Sequence, residues 1–183
     1  MSEEPGVPLL VLGLGNVLCG DDGVGAVAVH LLERRYRVPD GVQVLDGGTL
    51  GLSLLPVLEQ ARVAILVDAI RTAEAPGTLV RLEGDAVAPA VAERLSVHQV
   101  GVADLLEAAR WRGRYPPRLV LLGIVPESLE LGLRRTAAVE AALPSLVEAV
   151  VAEARALGHV FGARSDDEMA ARGRGDLAHV YGL

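Results

Sequence analysis

The sequence predicts an α/β fold: a single three-layer αβα domain in which a mostly parallel, five-stranded sheet lies between helices. Short apolar runs of strand length alternate along the chain with longer segments that repeat their apolar residues every three or four positions. Several of the short runs are apolar at consecutive positions, which is typical of a sheet covered on both faces. With 183 residues, 51% of them hydrophobic, the chain can bury one such core, and we expect no second independent domain.

The individual elements follow from this alternation. The five strand candidates are PLLVLGLG, VQVLDGG, ARVAILVDAI, GTLVRLEG and PRLVLLGIV. The run LVRLEGDA follows the third strand without room for a helix, so it is predicted to be the one antiparallel strand. Four segments have the apolar stripe of an amphipathic helix, several with arginine in the last turn, and they span residues 23–38, 50–60, 99–113 and 136–158.

The end of the chain differs from the rest. From Gly162 the sequence GARSDDEMAARGRGDLAHVYGL is rich in Gly, Arg and Asp, and its few apolar residues show no sustained period. A segment of this composition adds little to a hydrophobic core. We therefore predict a core domain over residues 1–161 and a C-terminal extension outside that core over residues 162–183.

The charge composition excludes several classes of protein. The formal net charge is −7, all 17 basic residues are arginine, and no dense basic face is visible. Nucleic acid is therefore not an expected partner, and the lack of lysine excludes Schiff-base chemistry. No secretory leader precedes the first strand, and no apolar run approaches the ~20 residues that cross a bilayer. We expect a cytoplasmic monomer that does not bind membranes.

Cys19 is the only cysteine, so it cannot form an internal disulfide. It lies beside two acids, which disfavour a reactive thiolate, and we interpret it as an inert small residue rather than a nucleophile. A serine nucleophile has no support either, because the sequence contains no G-x-S-x-G elbow.

The loop GLGNVLCGDDGVG begins like a nucleotide-binding turn, with Gly13, Gly15 and Asn16 shaping the exit from the first strand. A pyrophosphate is disfavoured there, because Asp21 and Asp22 stand at the start of the next helix and the glycine spacing does not fit a dinucleotide fingerprint. One of the two acids can cap the helix, which leaves the other for a different role. One interpretation is that this loop projects a carboxylate over the edge of the sheet toward a cation, and the alternative is that its acids only cap the helix.

Two further residues are candidates for the same edge. Asp68 directly follows a buried strand, and His98 lies in a loop just before a predicted helix. Two carboxylates and an imidazole suit a divalent ion such as zinc, nickel or cadmium, with coordination positions left open for outside ligands. The alternative is structural: Asp68 caps a turn, and His98 bonds the backbone.

The motif DGGT follows the second predicted strand, and it has two interpretations. Gly47 and Gly48 can simply allow a turn with positive φ. Alternatively, the segment from Asp46 to Thr49 forms part of a substrate-binding wall. Glu127, which follows the last strand, likewise either contacts substrate or caps the segment after it.

These motifs together carry a resemblance to a known family. The segments GLGNVLCGDDGVG, LDGGTLGLSLL, LVDAI, APGTL, SVHQVGVADLL and GIVPESLELG occur in that order. In them the chain resembles the hydrogenase maturation endopeptidases, which process the large subunit of nickel-iron hydrogenases. The resemblance covers roughly Leu9 to Gly158 and implies a twisted, phosphorylase/hydrolase-like sheet domain.

The resemblance also implies residue roles. It assigns metal contact and catalysis to Asp22, Asp68 and His98. The first of these is Glu in some relatives and is one methylene shorter here, so Asp21 competes for its role. Gln99, beside the histidine, joins the DGGT loop as an expected substrate-binding residue.

The implied reaction is the removal of a C-terminal extension from a nickel-iron hydrogenase large-subunit precursor after nickel insertion. The substrate supplies the nickel that is recognised, and no permanent cofactor is expected. The general base is left open. One alternative is a nickel-sensing chaperone that binds the precursor without cutting it, and a second is a nucleotide-binding protein.

Overall fold

The computed structural model describes residues 6–92 and 100–172 of the chain. Its strands and α-helices are, in chain order, β1 (Val7–Leu14), α1 (Val24–Arg35), β2 (Tyr36–Arg37), β3 (Val42–Gly48), α2 (Leu55–Leu58), β4 (Ala61–Ala69), β5 (Leu79–Glu83), α3 (Val87–Ala92), α4 (Val100–Trp111), β6 (Arg118–Ile124), α5 (Ala137–Ala156), β7 (Gly162–Ala163) and α6 (Asp166–Arg172).

The central sheet has five strands in the order β3-β1-β4-β6-β5. The pairs β1–β3, β1–β4 and β4–β6 are parallel, and β5 pairs antiparallel with β6. The predicted fold class is therefore confirmed, and the predicted antiparallel strand is indeed the one formed by Leu79–Glu83. The short link between β4 and β5 explains that direction, because a parallel return needs a crossover connection of a dozen or more residues.

Helices cover both faces of the sheet and bury two apolar layers. Side chains at alternate strand positions, such as Leu9 and Val11, pack against α1 and α5. The intervening positions, such as Leu10 and Leu12, pack against α3, α4 and the segment 51–58. This period-2 division explains why the central strands are apolar at consecutive positions.

Two of the predicted helices differ from those observed. The segment predicted as a helix over residues 50–60 is a 3-10 turn, Gly51–Leu54, followed by the single turn of α2. Gly51 has a φ of +51°, in the left-handed region, so a right-handed helix cannot run through it. The first helix ends at Arg35 rather than residue 38, because Tyr36 is extended and begins β2.

The beginning of the C-terminal extension is attached to the end of α1. Strand β7 pairs antiparallel with β2, and the Arg164 side chain donates to the carbonyl oxygens of Glu33 and Tyr36 at 3.2 and 3.0 Å. An ion pair of 2.7 Å joins Arg37 to Glu168 of α6. The sequence pattern predicted neither these elements nor α3. The domain boundary at residue 162 stays a prediction.

In the part of the chain that is described, no helix is long and apolar enough to cross a membrane.

Candidate active site

The candidate site lies at the carboxyl ends of β1 and β4, which are neighbouring parallel strands. The chain leaves them in opposite directions: after β1 it crosses to β3 on one side, and after β4 it continues to β5 and β6 on the other. Such a switch point leaves a crevice beyond the strand ends, where ligands bind in open α/β sheets. The polar residues of the first loop and Asp68 are located at this point.

Close backbone packing brings the first loop onto the two strand ends. A side chain at Gly25 would collide with the carbonyl oxygens of Leu14 and Val67, so the start of α1 can approach only as glycine. Gly15, with a φ of +113°, would collide in the same way with the carbonyl of Asp22. The 3-10 turn formed by Gly20–Gly23 therefore packs against β4.

Gly13 and Asn16, the other two residues predicted to shape this loop, lie on either side of the strand exit. Gly13 pairs with Asp46 of β3 on one side and with Val67 of β4 on the other. The Asn16 carbonyl accepts the N–H of Cys19 at 3.0 Å, and its side-chain Oδ1 accepts the N–H of Leu18 at 3.0 Å. These bonds fold the loop back over the sheet edge.

Asp22 is buried in that turn, with 4% of its surface exposed. Its Oδ2 accepts the backbone N–H of Asn16 at 2.8 Å, which fixes the carboxylate against the exit from β1. A backbone amide partly offsets the cost of removing the charge from water. The carboxylate is thus held in place by the same loop whose glycines allow the close approach.

Asp68 is the last residue but one of β4 and is fully buried. Its Oδ1 accepts the N–H of the next residue, Ala69, at 2.7 Å. The backbone of Asp68 is paired with Gly123 of β6, where any side chain would collide with the Asp68 carbonyl. Both Asp22 and Asp68 therefore lie on rigid backbone at adjacent strand ends, as the sequence order suggested.

Asp21 has a different environment from its neighbour. It is fully buried, and its carboxylate accepts the N–H groups of Glu127, Ser128 and Thr136 at 2.9, 3.0 and 2.7 Å. The hydroxyl of Thr136 donates a further bond at 2.9 Å. These donors all come from the segment that follows β6. Asp21 therefore anchors that segment, and the ligand-binding role of Asp22 stays a prediction.

The DGGT segment forms the end of β3 and a turn. The carboxylate of Asp46 contacts Nε2 of His30 at 2.9 Å and accepts the N–H of Gly48 at 2.9 Å. Gly48 has a φ of +44°, Gly47 is buried, and Thr49 is exposed. The turn interpretation thus describes the backbone, and a substrate-binding role for these four residues stays a prediction.

Cys19 is half-buried, and its backbone forms an isolated parallel bridge with Gly132. The Glu127 backbone N–H bonds to Asp21, whereas the residue itself is exposed. Neither observation assigns a chemical role to these side chains.

Metal contact by Asp22 and Asp68 stays a prediction, and two carboxylates would leave most coordination positions of a divalent ion to outside ligands. Within residues 6–92 and 100–172, no group of three or more His, Cys, Asp and Glu residues could hold a metal ion. The predictions for His98 and Gln99 lie outside the described residues.

Sequence reasoning missed His30 and Thr136. His30 lies inside α1, where its partner Asp46 is 16 residues away, and Thr136 precedes α5, 115 residues from Asp21. Thr136 has the residue type of a helix cap, yet its side chain makes no capping bond. Only the folded chain shows these partners, because nothing in the local pattern indicates pairings over such separations.

Comparison with known proteins gives consistent results. A family profile described as hydrogenase maturation protease matches residues 27–153. The chain is 42% identical over 151 residues to the hydrogenase 2 maturation protease of Escherichia coli strain K12, which covers 82% of this chain and 92% of that protein.

The chain is also 46% identical over 123 residues to the hydrogenase expression/formation protein HoxM of Azotobacter vinelandii, covering 67% of this chain and 59% of that protein. The solved structure of the hydrogenase maturating endopeptidase HybD from E. coli superposes with a TM-score of 0.82 at 41% identity, covering 87% of this chain and 99% of that one.

Proposed function

Because the chain belongs to the hydrogenase maturation protease family and is therefore a peptidase, we propose that it removes the C-terminal extension of a nickel-iron hydrogenase large-subunit precursor. The observation that carries the proposal is the pair of carboxylates, Asp22 and Asp68, buried at adjacent strand ends over the switch point of the sheet. Burying two acids at a crevice is costly unless a cation or proton compensates them.

The proposed substrate brings that cation. Nickel held by cysteine thiolates of the precursor takes Asp22 and Asp68 as further ligands, with His98 as the third protein ligand. A precursor without nickel lacks this attachment point and is not cut. This arrangement makes the metal a feature of the substrate, and no resident cofactor is needed.

Docking through nickel fixes the scissile peptide bond relative to the crevice. Holding the reacting groups in place can supply a large part of the rate enhancement. Hydrolysis then adds the oxygen of water to the peptide carbonyl carbon, and the C–N bond breaks as the leaving amine gains a proton. The metal or one of the carboxylates polarises the carbonyl or activates the water. We further propose that the protein acts as a monomer in the cytoplasm.

The test is a processing assay that follows the intact mass of a hydrogenase large-subunit precursor, prepared with and without nickel. We expect wild-type protein to remove a C-terminal peptide only from the nickel-loaded form. Asp68→Asn and His98→Ala are expected to abolish the cleavage. Asp104→Asn, which neutralises an exposed acid on α4, is the matched control and should cleave like the wild type.

Two outcomes would contradict the proposal. Equal cleavage of both precursor forms would show that nickel is not the recognition element. Nickel-dependent binding of the precursor without any mass change would instead identify the non-cleaving sensor.

A further inference from the structure

Three exposed leucines lie in the two loops next to the candidate site. Leu18 in the first loop is 56% exposed, and Leu131 and Leu133 in the loop after β6 are 86% and 59% exposed. Isolated surface leucines are common, but a group of them at one place marks an interaction site more often than chance. These three come from segments more than 100 residues apart in the chain, so their grouping is a property of the fold.

Backbone hydrogen bonds hold the three leucines side by side. Gly132, which lies between Leu131 and Leu133, donates its N–H to the carbonyl of Leu18 at 2.8 Å. Its own carbonyl accepts the N–H of Gly20 at 2.7 Å. The two loops therefore pair like adjacent strands, and the leucines lie on either side of the pairing. We call Leu18, Leu131 and Leu133 the leucine patch.

Asp21 connects the leucine patch to the edge of the sheet where Asp22 and Asp68 lie. Its carboxylate bonds to Glu127 and Ser128 before the patch and to Thr136 after it. The N–H of Asp21 also donates to the Ser128 carbonyl at 3.2 Å. Both ends of the loop that carries Leu131 and Leu133 are thus fixed to the residue next to Asp22. Pre-ordering an exposed loop in this way lowers the entropy cost of binding a partner.

We propose that the leucine patch is a docking surface for an apolar part of the hydrogenase large-subunit precursor, and that it binds this partner independently of nickel. The proposal rests on the proposed function. It commits to the precursor because Leu18 lies in the same loop as Asp22, four residues before it, and Gly132 joins the loop of Leu131 and Leu133 to Leu18, so the patch adjoins the proposed substrate site. A second copy of the chain fits less well, since three leucine side chains alone fall far short of the ~800 Å² per partner that stable interfaces bury, whereas the proposed precursor also contacts Asp22 and Asp68.

The leucine patch and the pair Asp22 and Asp68 would then recognise different features of the precursor. Contact with the leucines removes apolar surface from water and is not weakened by electrostatic screening. Contact of Asp22 and Asp68 with nickel identifies a loaded precursor. The affinity for a precursor without nickel is accordingly weaker than for the loaded one, but it does not vanish.

The experiment compares Leu131→Ser/Leu133→Ser and Leu18→Ser with a control that removes equally exposed apolar groups elsewhere. The control is Trp111→Ser/Val160→Ser, because these two residues are 89% and 60% exposed and lie outside the loops of the site. Cleavage rates are measured over a range of concentrations of nickel-loaded precursor. In parallel, the affinity of each variant for nickel-free precursor is measured with the catalytic change Asp68→Asn added.

We expect the double leucine variant to raise KM by about 10- to 100-fold, and Leu18→Ser by less, with kcat unchanged within about twofold. The affinity for nickel-free precursor should fall by the same factor, while the control variant behaves like the wild type. A KM and an affinity within twofold of the wild type would overturn the proposal. So would a wild-type dimer in sedimentation that the leucine variant dissociates without a change in KM.

Failure of the proposed function gives a different result. If wild-type protein cuts no precursor, the peptidase assignment to this substrate fails. The binding measurement then still decides the fate of the leucine patch, because loss of affinity in the leucine variants supports docking and unchanged affinity refutes it.

Discussion

Carboxylates at the carboxyl edge of the sheet differ in burial and in hydrogen-bond partners from those on the surface formed by β5, β6 and α5. At the edge, Asp21, Asp22 and Asp68 are buried and accept hydrogen bonds from backbone N–H groups. On the other surface, Glu83 and Glu153 are paired with guanidinium groups. The Arg81 side chain contacts them at 2.7 and 2.8 Å.

The electrostatic consequences of the two arrangements differ. Hydrogen bonds from Arg81 hold the pKa of both Glu83 and Glu153 below the usual range, so these acids stay charged beside a counter-charge. Such pairs at a solvated surface contribute little to stability. The carboxylates at the edge have backbone amides instead of guanidinium groups as hydrogen-bond partners, at a place where burying a polar group costs free energy. Burial alone does not separate function from structure, because Asp21 anchors the segment after β6, whereas Asp22 and Asp68 are the acids that the proposed function uses.

The largest effect is expected at the edge, for Asp68→Asn. Asparagine retains an acceptor for the Ala69 N–H but removes the charge, so cleavage of nickel-loaded precursor should fall by at least about a hundredfold. The free energy of unfolding should stay the same or rise, because a buried charge is removed. Urea unfolding measures the free energy of unfolding of the variant, and the processing assay measures its cleavage rate. A variant that unfolds easily and cleaves normally would show that Asp68 acts in stability and not in cleavage.

The second largest effect is expected for Asp21→Ala, which should lower the free energy of unfolding. Truncation leaves the N–H groups of Glu127, Ser128 and Thr136, which are partly buried, without their acceptor. Each unsatisfied group costs about 1–3 kcal/mol, and we expect the free energy of unfolding to fall by about 3 kcal/mol or more. Urea denaturation measures it. A loss below about 1 kcal/mol would show that Asp21 does not anchor the segment after β6.

A much smaller effect is expected on the other surface, for Arg81→Gln. The free energy of unfolding should fall by less than about 1 kcal/mol at pH 7, and processing should be unchanged. Because the pKa of Glu153 is lowered in the folded protein, the stabilisation is present above its ordinary value of 4.5 and is lost as the pH falls below it. The difference in urea midpoint between wild type and variant should therefore shrink below pH 4.5. A constant or growing difference would contradict this.

The smallest effect is expected at the C-terminal extension, for Glu168→Gln. Arg37 lowers the pKa of Glu168 to about 2, so the ion pair is present above 4.5 and is lost only as the pH falls toward 2. At neutral pH we expect faster hydrogen exchange in residues 162–170 of the variant, with global stability and processing unchanged. Slower or equal exchange would show that the ion pair does not attach this segment.

The order of elements could be predicted from the sequence because apolar periodicity depends on burial, and this sheet is buried on both faces. The antiparallel strand followed from a connection too short for a crossover. The helix over residues 50–60 could not be excluded, since its apolar stripe is real and only the folded chain shows a left-handed Gly51 and a 3-10 turn before the single turn of α2. The pairing of β2 with β7 depends on a long-range contact that leaves no local pattern.

The candidate site could be predicted only in part. The placement of Asp22 and Asp68 near one edge could be predicted, because parallel strands bring their carboxyl ends together; their roles stay predictions. The different environments of Asp21 and Asp22 could not be predicted, since adjacent acids look alike until the donors from Glu127, Ser128 and Thr136 are known.

The most direct test of the account is therefore the pair Asp21→Asn and Asp22→Asn, compared in urea unfolding and in the cleavage of nickel-loaded precursor. We predict that Asp22→Asn retains its unfolding midpoint and loses cleavage. Asp21→Asn should lose about 1–3 kcal/mol of stability and keep its kcat under conditions where it is folded. Normal cleavage by Asp22→Asn, together with loss of cleavage by folded Asp21→Asn, would contradict the account and assign the nickel contact to Asp21.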